Sequence, residues 1–197
     1  MLLQVSGFRM PAYVEDFTVA VSSYTSANVL LDNSEEGTFA FTSSPGTLKM
    51  ALSQVNSNIV GALASVKIDL TVQNGVATNG YVKLKLPKWN PGTQRVSRAT
   101  SMIQVSSSDT QSNGRFKIDC TSPAHANIAC WFLPVTPASV SAIATTYDEL
   151  YISGFTSALT TILSFTLTNS RFRNPASTKP LTTLIAETYN SGNFMLD

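Results

Sequence analysis

A two-sheet β-sandwich of immunoglobulin-like character is the fold this sequence predicts, on three observations. Apolar side chains recur at every second position in several runs, the period of a half-buried strand. Turn signals built on Asn and Gly separate those runs at short intervals. Charged residues make up 13% of the 197, about half the ~25% of an average globular chain. Ser (25) and Thr (23) are abundant instead, and polar uncharged sheet faces suit a secreted scaffold.

The elements follow in order. Residues 50–62 could hold a short helix. Ala64, Val66, Ile68 and Leu70 are opposed by Ser65, Lys67 and Asp69, and Val82, Leu84 and Leu86 by Tyr81, Lys83 and Lys85. Phe116, Ile118 and Cys120 form another set, then Ile128, Cys130 and Phe132. Asn74-Gly75, Asn79-Gly80, Asn90-Pro91-Gly92, Asn113-Gly114 and Asn190-Ser191-Gly192 supply turns. Residues 150–170 carry no charge and are long enough to span a bilayer. Leu163, Phe165 and Leu167 alternate there with Ser164, Thr166 and Thr168, and Gly154 and Ser157 interrupt the run. Two strands, not a membrane span, are therefore expected. The alternation is equally compatible with a closed barrel.

The start of the chain is written again at its end. Ser6, Phe8, Arg9, Pro11, Ala12 and Thr18 match Ser170, Phe172, Arg173, Pro175, Ala176 and Thr182 at an offset of 164 residues. After one inserted residue, Tyr24, Ser26, Asn28, Leu31 and Asp32 match Tyr189, Ser191, Asn193, Leu196 and Asp197 at an offset of 165. Unrelated segments of this length share roughly two identities. The expected organisation is a tail of a preceding repeat over 1–32 and one complete sandwich repeat over 33–197. A period this long means a string of domains, since solenoid units run about 20–50 residues.

Three stretches carry a family resemblance: residues 46–87, the two-cysteine segment 116–132, and residues 163–197 with the string Arg-Asn-Pro-Ala-Ser-Thr-Lys-Pro. In them the chain resembles a repeat domain of very large cell-surface proteins of ciliated protozoa, often found beside cysteine-rich furin-like modules. That resemblance implies an extracellular, filamentous or coat-forming role and brings no catalytic residues. The first copy departs from it, with Arg-Met-Pro-Ala-Tyr-Val-Glu-Asp in the corresponding place.

Cys120 and Cys130, the two cysteines, are even in number, close in sequence and set in an extracellular type of composition. A disulfide between them, on strands able to pair as a hairpin, would contribute about 2–3 kcal/mol by loop entropy. Two buried free thiols are the alternative for a cytosolic chain. Catalysis finds little support. His125 is the single histidine, expected to be solvated or held by the bridge, and no Gly-x-Ser-x-Gly elbow occurs. Asp148 and Glu149 are neighbours that a strand would point to opposite faces, so they read as solvated charges. No enzyme, cofactor or metal set is expected.

Residues 70–108 hold no acid but contain Lys83, Lys85, Lys88, Arg95 and Arg98, with Trp89 among them. One reading is a lysine-protected sheet edge. The other is a contact patch for an anionic glycan or for the acidic parts of a neighbouring copy. Asp32, Glu35 and Glu36 form a weak calcium candidate at the repeat junction. No Asn-x-Ser/Thr sequon occurs, so any glycans would be O-linked. A hydrophobic content of 43% and a net charge of +1 exclude a disordered chain and argue against a nucleic-acid partner. The expected function is a structural segment of an extracellular filament, appendage or coat, acting through self-association. An adhesin binding glycan or protein through the Trp89 loop is the alternative.

Overall fold

The structure, a computed structural model, describes residues 16–19, 22–33, 39–42, 46–88, 101–138, 146–159, 162–174 and 184–197. All regular structure among them is β. The chain divides into two compact units, Met1–Pro45 and Gly46–Asp197.

The second unit is a sandwich. Its four-stranded sheet runs Cys120–Thr121 (β10), Ile162–Arg173 (β13), Leu63–Thr71 (β6), Lys49–Gln54 (β5). Its six-stranded sheet runs Ile185–Tyr189 (β14), Tyr81–Pro87 (β7), Tyr147–Ser153 (β12), Ala129–Leu133 (β11), Arg115–Ile118 (β9), Gln111–Ser112 (β8). Every pairing within both sheets is antiparallel. The period of two appears directly as burial. Val66, Ile68 and Leu70 of β6, and Leu163, Phe165 and Leu167 of β13, are buried from one side of the core. Val82, Leu84, Leu86, Ile118, Cys130, Phe132, Leu150 and Ile152 are buried from the other. Each of the large side chains contributes about 1.5–3 kcal/mol by leaving water.

The uncharged stretch 150–170 is two strands, as its alternation predicts. No helix among the described residues is long and apolar enough to cross a membrane. The short helix expected over 50–62 is corrected. Its first residues form edge strand β5, paired with β6 from Lys49 opposite Thr71 to Gln54 opposite Val66. Met50 and Leu52 are half-buried while Ala51 and Ser53 are exposed, so alternation overrode the helical spacing.

The Asn113-Gly114 turn joins β8 to β9 with both residues at positive φ, 50° and 75°, the backbone that a two-residue hairpin loop requires. At Asp119 the chain leaves the six-stranded sheet and enters the four-stranded one as β10. A bulge in β13 receives it. Register there passes from Leu167 opposite Val66 to Phe172 opposite Ala64, with Asn169 and Ser170 at φ 56° and 51°. Thr168 N donates to Asp119 O at 3.0 Å, and Asn169 Nδ2 to the Asp119 carboxylate at 2.7 Å. The extra residues of the bulge thus supply donors at the point where the chain changes sheet.

In the first unit, Asp16–Val19 (β1) pairs with Phe39–Thr42 (β4), and Ser22–Tyr24 (β2) with Leu30–Asn33 (β3). The β2–β3 hairpin has a counterpart at the end of the second unit, offset by 165 residues. Tyr24 faces Leu30 as Tyr189 faces Met195. Thr25 N donates to Val29 O at 2.8 Å and Asn28 N to Thr25 O at 3.0 Å, matching Asn190 N to Phe194 O at 3.1 Å and Asn193 N to Asn190 O at 3.2 Å. Asn28 and Asn193 both take left-handed φ, 59° and 65°. Thr25 Oγ1 accepts from Ala27 N and Val29 N where Asn190 Oδ1 accepts from Gly192 N and Phe194 N.

Candidate functional site

The best-furnished surface is the outer face of the six-stranded sheet. Because β-strands alternate, positions out of phase with the core collect there in rows. One row follows the strand register: Glu187 beside Lys83, Lys83 beside Tyr151, Tyr151 beside Trp131, Trp131 beside Lys117. Tyr81 stacks on Tyr189 with ring centroids 4.9 Å apart and meets Tyr151 at 5.9 Å.

Most charge on this face is matched. Lys83 Nζ lies 3.0 Å from Glu187, 3.9 Å from Glu149 and 4.9 Å from the centre of the Tyr189 ring. Lys85 pairs with Glu187, Tyr151 donates to Glu149, and Tyr189 Oη donates to Glu187 at 2.8 Å. Burial disfavours the Lys83 charge, but hydrogen bonding to Glu187 and Tyr189 outweighs it and raises its pKa. Burial likewise opposes ionisation of Glu187, and the hydrogen bonds from Lys85, Tyr189 and Lys83 reverse the balance, holding its carboxyl below the usual range. Tyr151 is pushed up to about 12 by burial and by Glu149.

Two cations stand apart from this network. Arg115 has its guanidinium carbon 3.8 Å from the Tyr151 ring centre and no carboxylate partner among the described residues. Lys117, exposed beside Trp131, also has none there. Ser112, Asn113, Arg115, Trp131 and Leu133 line an open hollow of about 320 Å³.

The expected contact patch is divided by the structure. Lys83 and Lys85 direct their charges into Glu187 and Glu149, while Trp89, Arg95 and Arg98 lie outside the described residues. Lys88 turns inward: its Nζ is 2.6 Å from Asp148, with side-chain exposures of 5% and 0%. Asp148 also accepts from Val135 N at 2.8 Å. The reading of Asp148 as a solvated charge is therefore corrected, because its alternation with Glu149 points it into the sandwich. Of the two readings of His125, the solvated one is corrected too. The residue is 4% exposed, edge-on to Phe155 at 5.2 Å, with Nδ1 lacking a hydrogen-bond partner.

Cys120 and Cys130 are bonded, with Cα atoms 6.1 Å apart. Their strands do not pair as the expected hairpin. Cys130 faces Ile118 in the six-stranded sheet, whereas Cys120 faces Leu167 in the other. Of the calcium candidate, Asp32 accepts from Ser23 Oγ at 3.1 Å, and Glu35 and Glu36 lie outside the described residues. Among the described residues no cluster of three or more metal-ligating side chains occurs.

Arg115, Lys117 and Trp131 escaped the sequence reading, which followed the core-facing residues between them. Their signal was the opposite phase of the same strands: Arg115 and Lys117 flank Phe116, and Trp131 lies between Cys130 and Phe132.

No protein-family model matches the chain, and no curated protein does. Among solved structures, a CBM3 module of Hungateiclostridium clariflavum aligns at 13% identity over 75% of this chain and 96% of its own, with a TM-score of 0.34. The CBM3b module of a major scaffoldin subunit of Acetivibrio cellulolyticus aligns at 14% identity over 75% and 94%, with a TM-score of 0.35. Superpositions this loose carry no argument about what this chain does.

Proposed function

We propose that the chain is a non-catalytic segment of a tandem-repeat extracellular protein, in which each sandwich adds length and contacts to a filament, appendage or coat. The observation that carries this reading is the closing hairpin built twice. Thr188 Oγ1 donates to Asp197 at 2.8 Å, and Ser23 Oγ donates to Asp32 at 3.1 Å. At the second site the lock is seated on a sandwich. Asp197 also accepts from Asn74 N at 2.9 Å, and Leu196 is 4% exposed. At the first site Leu31, the counterpart of Leu196, is 61% exposed. The two hairpins therefore share lock and turn geometry and differ in what covers their apolar side, the pattern of one motif written twice.

The cross-sheet disulfide supports an oxidising compartment. The resemblance to ciliate surface repeats supports the same setting. Contacts between copies would draw on the sheet edges β5, β8, β10 and β14, because Lys83, Lys85 and Lys88 are engaged within the chain.

Exchanging residues 188–197 for residues 23–32 tests the equivalence of the hairpins. A chimera that folds cooperatively with its disulfide formed is expected; one that fails to fold overturns the repeat reading. Immunoelectron microscopy with an antibody to the second unit tests the role. Regularly spaced label on a surface structure is expected, and label confined to the cytoplasm refutes it.

A further inference from the structure

We propose that the hollow beside Trp131 binds an acidic sugar, a pyranose carrying a carboxylate. Trp131 and Leu133 give it an apolar wall on a face that strand alternation otherwise assigns to polar groups. A tryptophan face matches the C–H face of a pyranose, while the indole N–H remains available as a donor. That N–H has no hydrogen-bond partner among the described residues, nor do the side chains of Ser112 and Asn113 on the rim.

Charge selects the ligand further. Lys83 and Lys85 are neutralised by Glu149 and Glu187, so the unmatched positive charge of this face gathers at Arg115 and Lys117 around Trp131. Arg115 is already ordered by its contact with Tyr151 at 3.8 Å. Its planar fork of N–H donors is therefore offered with little further ordering, and a carboxylate satisfies such a fork with two parallel hydrogen bonds. The volume of about 320 Å³ lies at the small end of ligand sites, suited to one or two sugar units. A neutral sugar would use Trp131 and leave both cations unanswered. A nucleic acid would call for a longer basic track than two side chains.

This site belongs to the second unit alone and stands independently of the tandem-repeat reading. Calorimetric titration of the full chain with sialyllactose and with oligogalacturonate, each beside its methyl ester, tests it. At least one acid is expected to bind, with its ester at least about tenfold weaker, since esterification removes the charge that Arg115 recognises. Arg115→Ala should lose about tenfold or more, and Trp131→Ala should abolish binding while the unfolding midpoint and the disulfide are retained. Arg115→Lys, which keeps the charge but not the fork, should fall between. Failure of both acids to bind overturns the proposal, as does equal affinity for acid and ester or undiminished binding by folded Trp131→Ala.

Discussion

Cys120 and Cys130 stand in opposite sheets of the sandwich although they lie only ten positions apart in sequence. The chain leaves β9 at Asp119, contributes Cys120 to the edge of the four-stranded sheet, and returns to the middle of the six-stranded sheet at Cys130. The disulfide is thus a staple between layers. Replacing both cysteines with Ala should lower stability by about 2–3 kcal/mol, from the loop entropy restored to the unfolded chain. Urea unfolding of the variant, beside the parent with and without reductant, measures it.

Lys88 and Asp148 form the most deeply buried ion pair among the described residues. Lys88→Met should cost about 3–5 kcal/mol, because Asp148 is left charged and unmatched in the interior. Adding Asp148→Leu should recover much of that loss, since an apolar pair of similar volume is often no less stable. A double-mutant comparison of unfolding midpoints decides it. No recovery would mean that Asp148 is needed for its bond to Val135 N.

Acid should weaken the network on the outer face. Glu187 has a depressed pKa when folded, because its hydrogen bonds outweigh its burial. Its contribution is complete above the unfolded value of about 4.3 and is lost as pH falls through the lower folded value. Glu187→Gln should reduce stability at neutral pH and flatten its fall below about pH 4. Tyr151, pushed up to about 12 by burial and by Glu149, has the opposite sign. Its contribution is complete below the unfolded value of about 10 and is lost as pH rises towards the folded one. Tyr151→Phe should remove that alkaline dependence, read from unfolding midpoints across the range.

The two hairpin locks should differ in worth. Asp197→Ala leaves the Thr188 hydroxyl and the Asn74 N–H without their partner in a buried setting, and should cost about 2–3 kcal/mol. Asp32→Ala removes an exposed bond and should change stability by less than about 0.5 kcal/mol. Hydrogen exchange read in each variant at its own hairpin, residues 22–33 for Asp32→Ala and 185–197 for Asp197→Ala, separates them. Equal effects would place Asp32 in a seated lock like that of Asp197.

Local periodicity determined a great deal. Alternation named the core residues of β6, β7, β11 and β13, because a strand sends successive side chains to opposite faces whatever it packs against. Asn-Gly marked the β8–β9 turn, because few residues accept positive φ at both positions. The internal duplication was legible residue by residue, and the matching hairpins share their turn geometry because the same local hydrogen bonds close both. The pairing of the two cysteines was legible as well, from their number and closeness.

Partners distant in sequence were decided by the tertiary structure alone. Alternation gives a side chain's face but not which strand lies beside it. The sequence could not reveal that Cys120 changes sheet, that Lys88 meets Asp148 in the interior, or that Glu187 gathers Lys83 and Lys85 from the neighbouring strand. The hollow at Trp131 belongs to the same class. Arg115 reaches Tyr151, 36 positions away in sequence, across the strand that carries Trp131, and only the order of strands in the sheet brings those groups together.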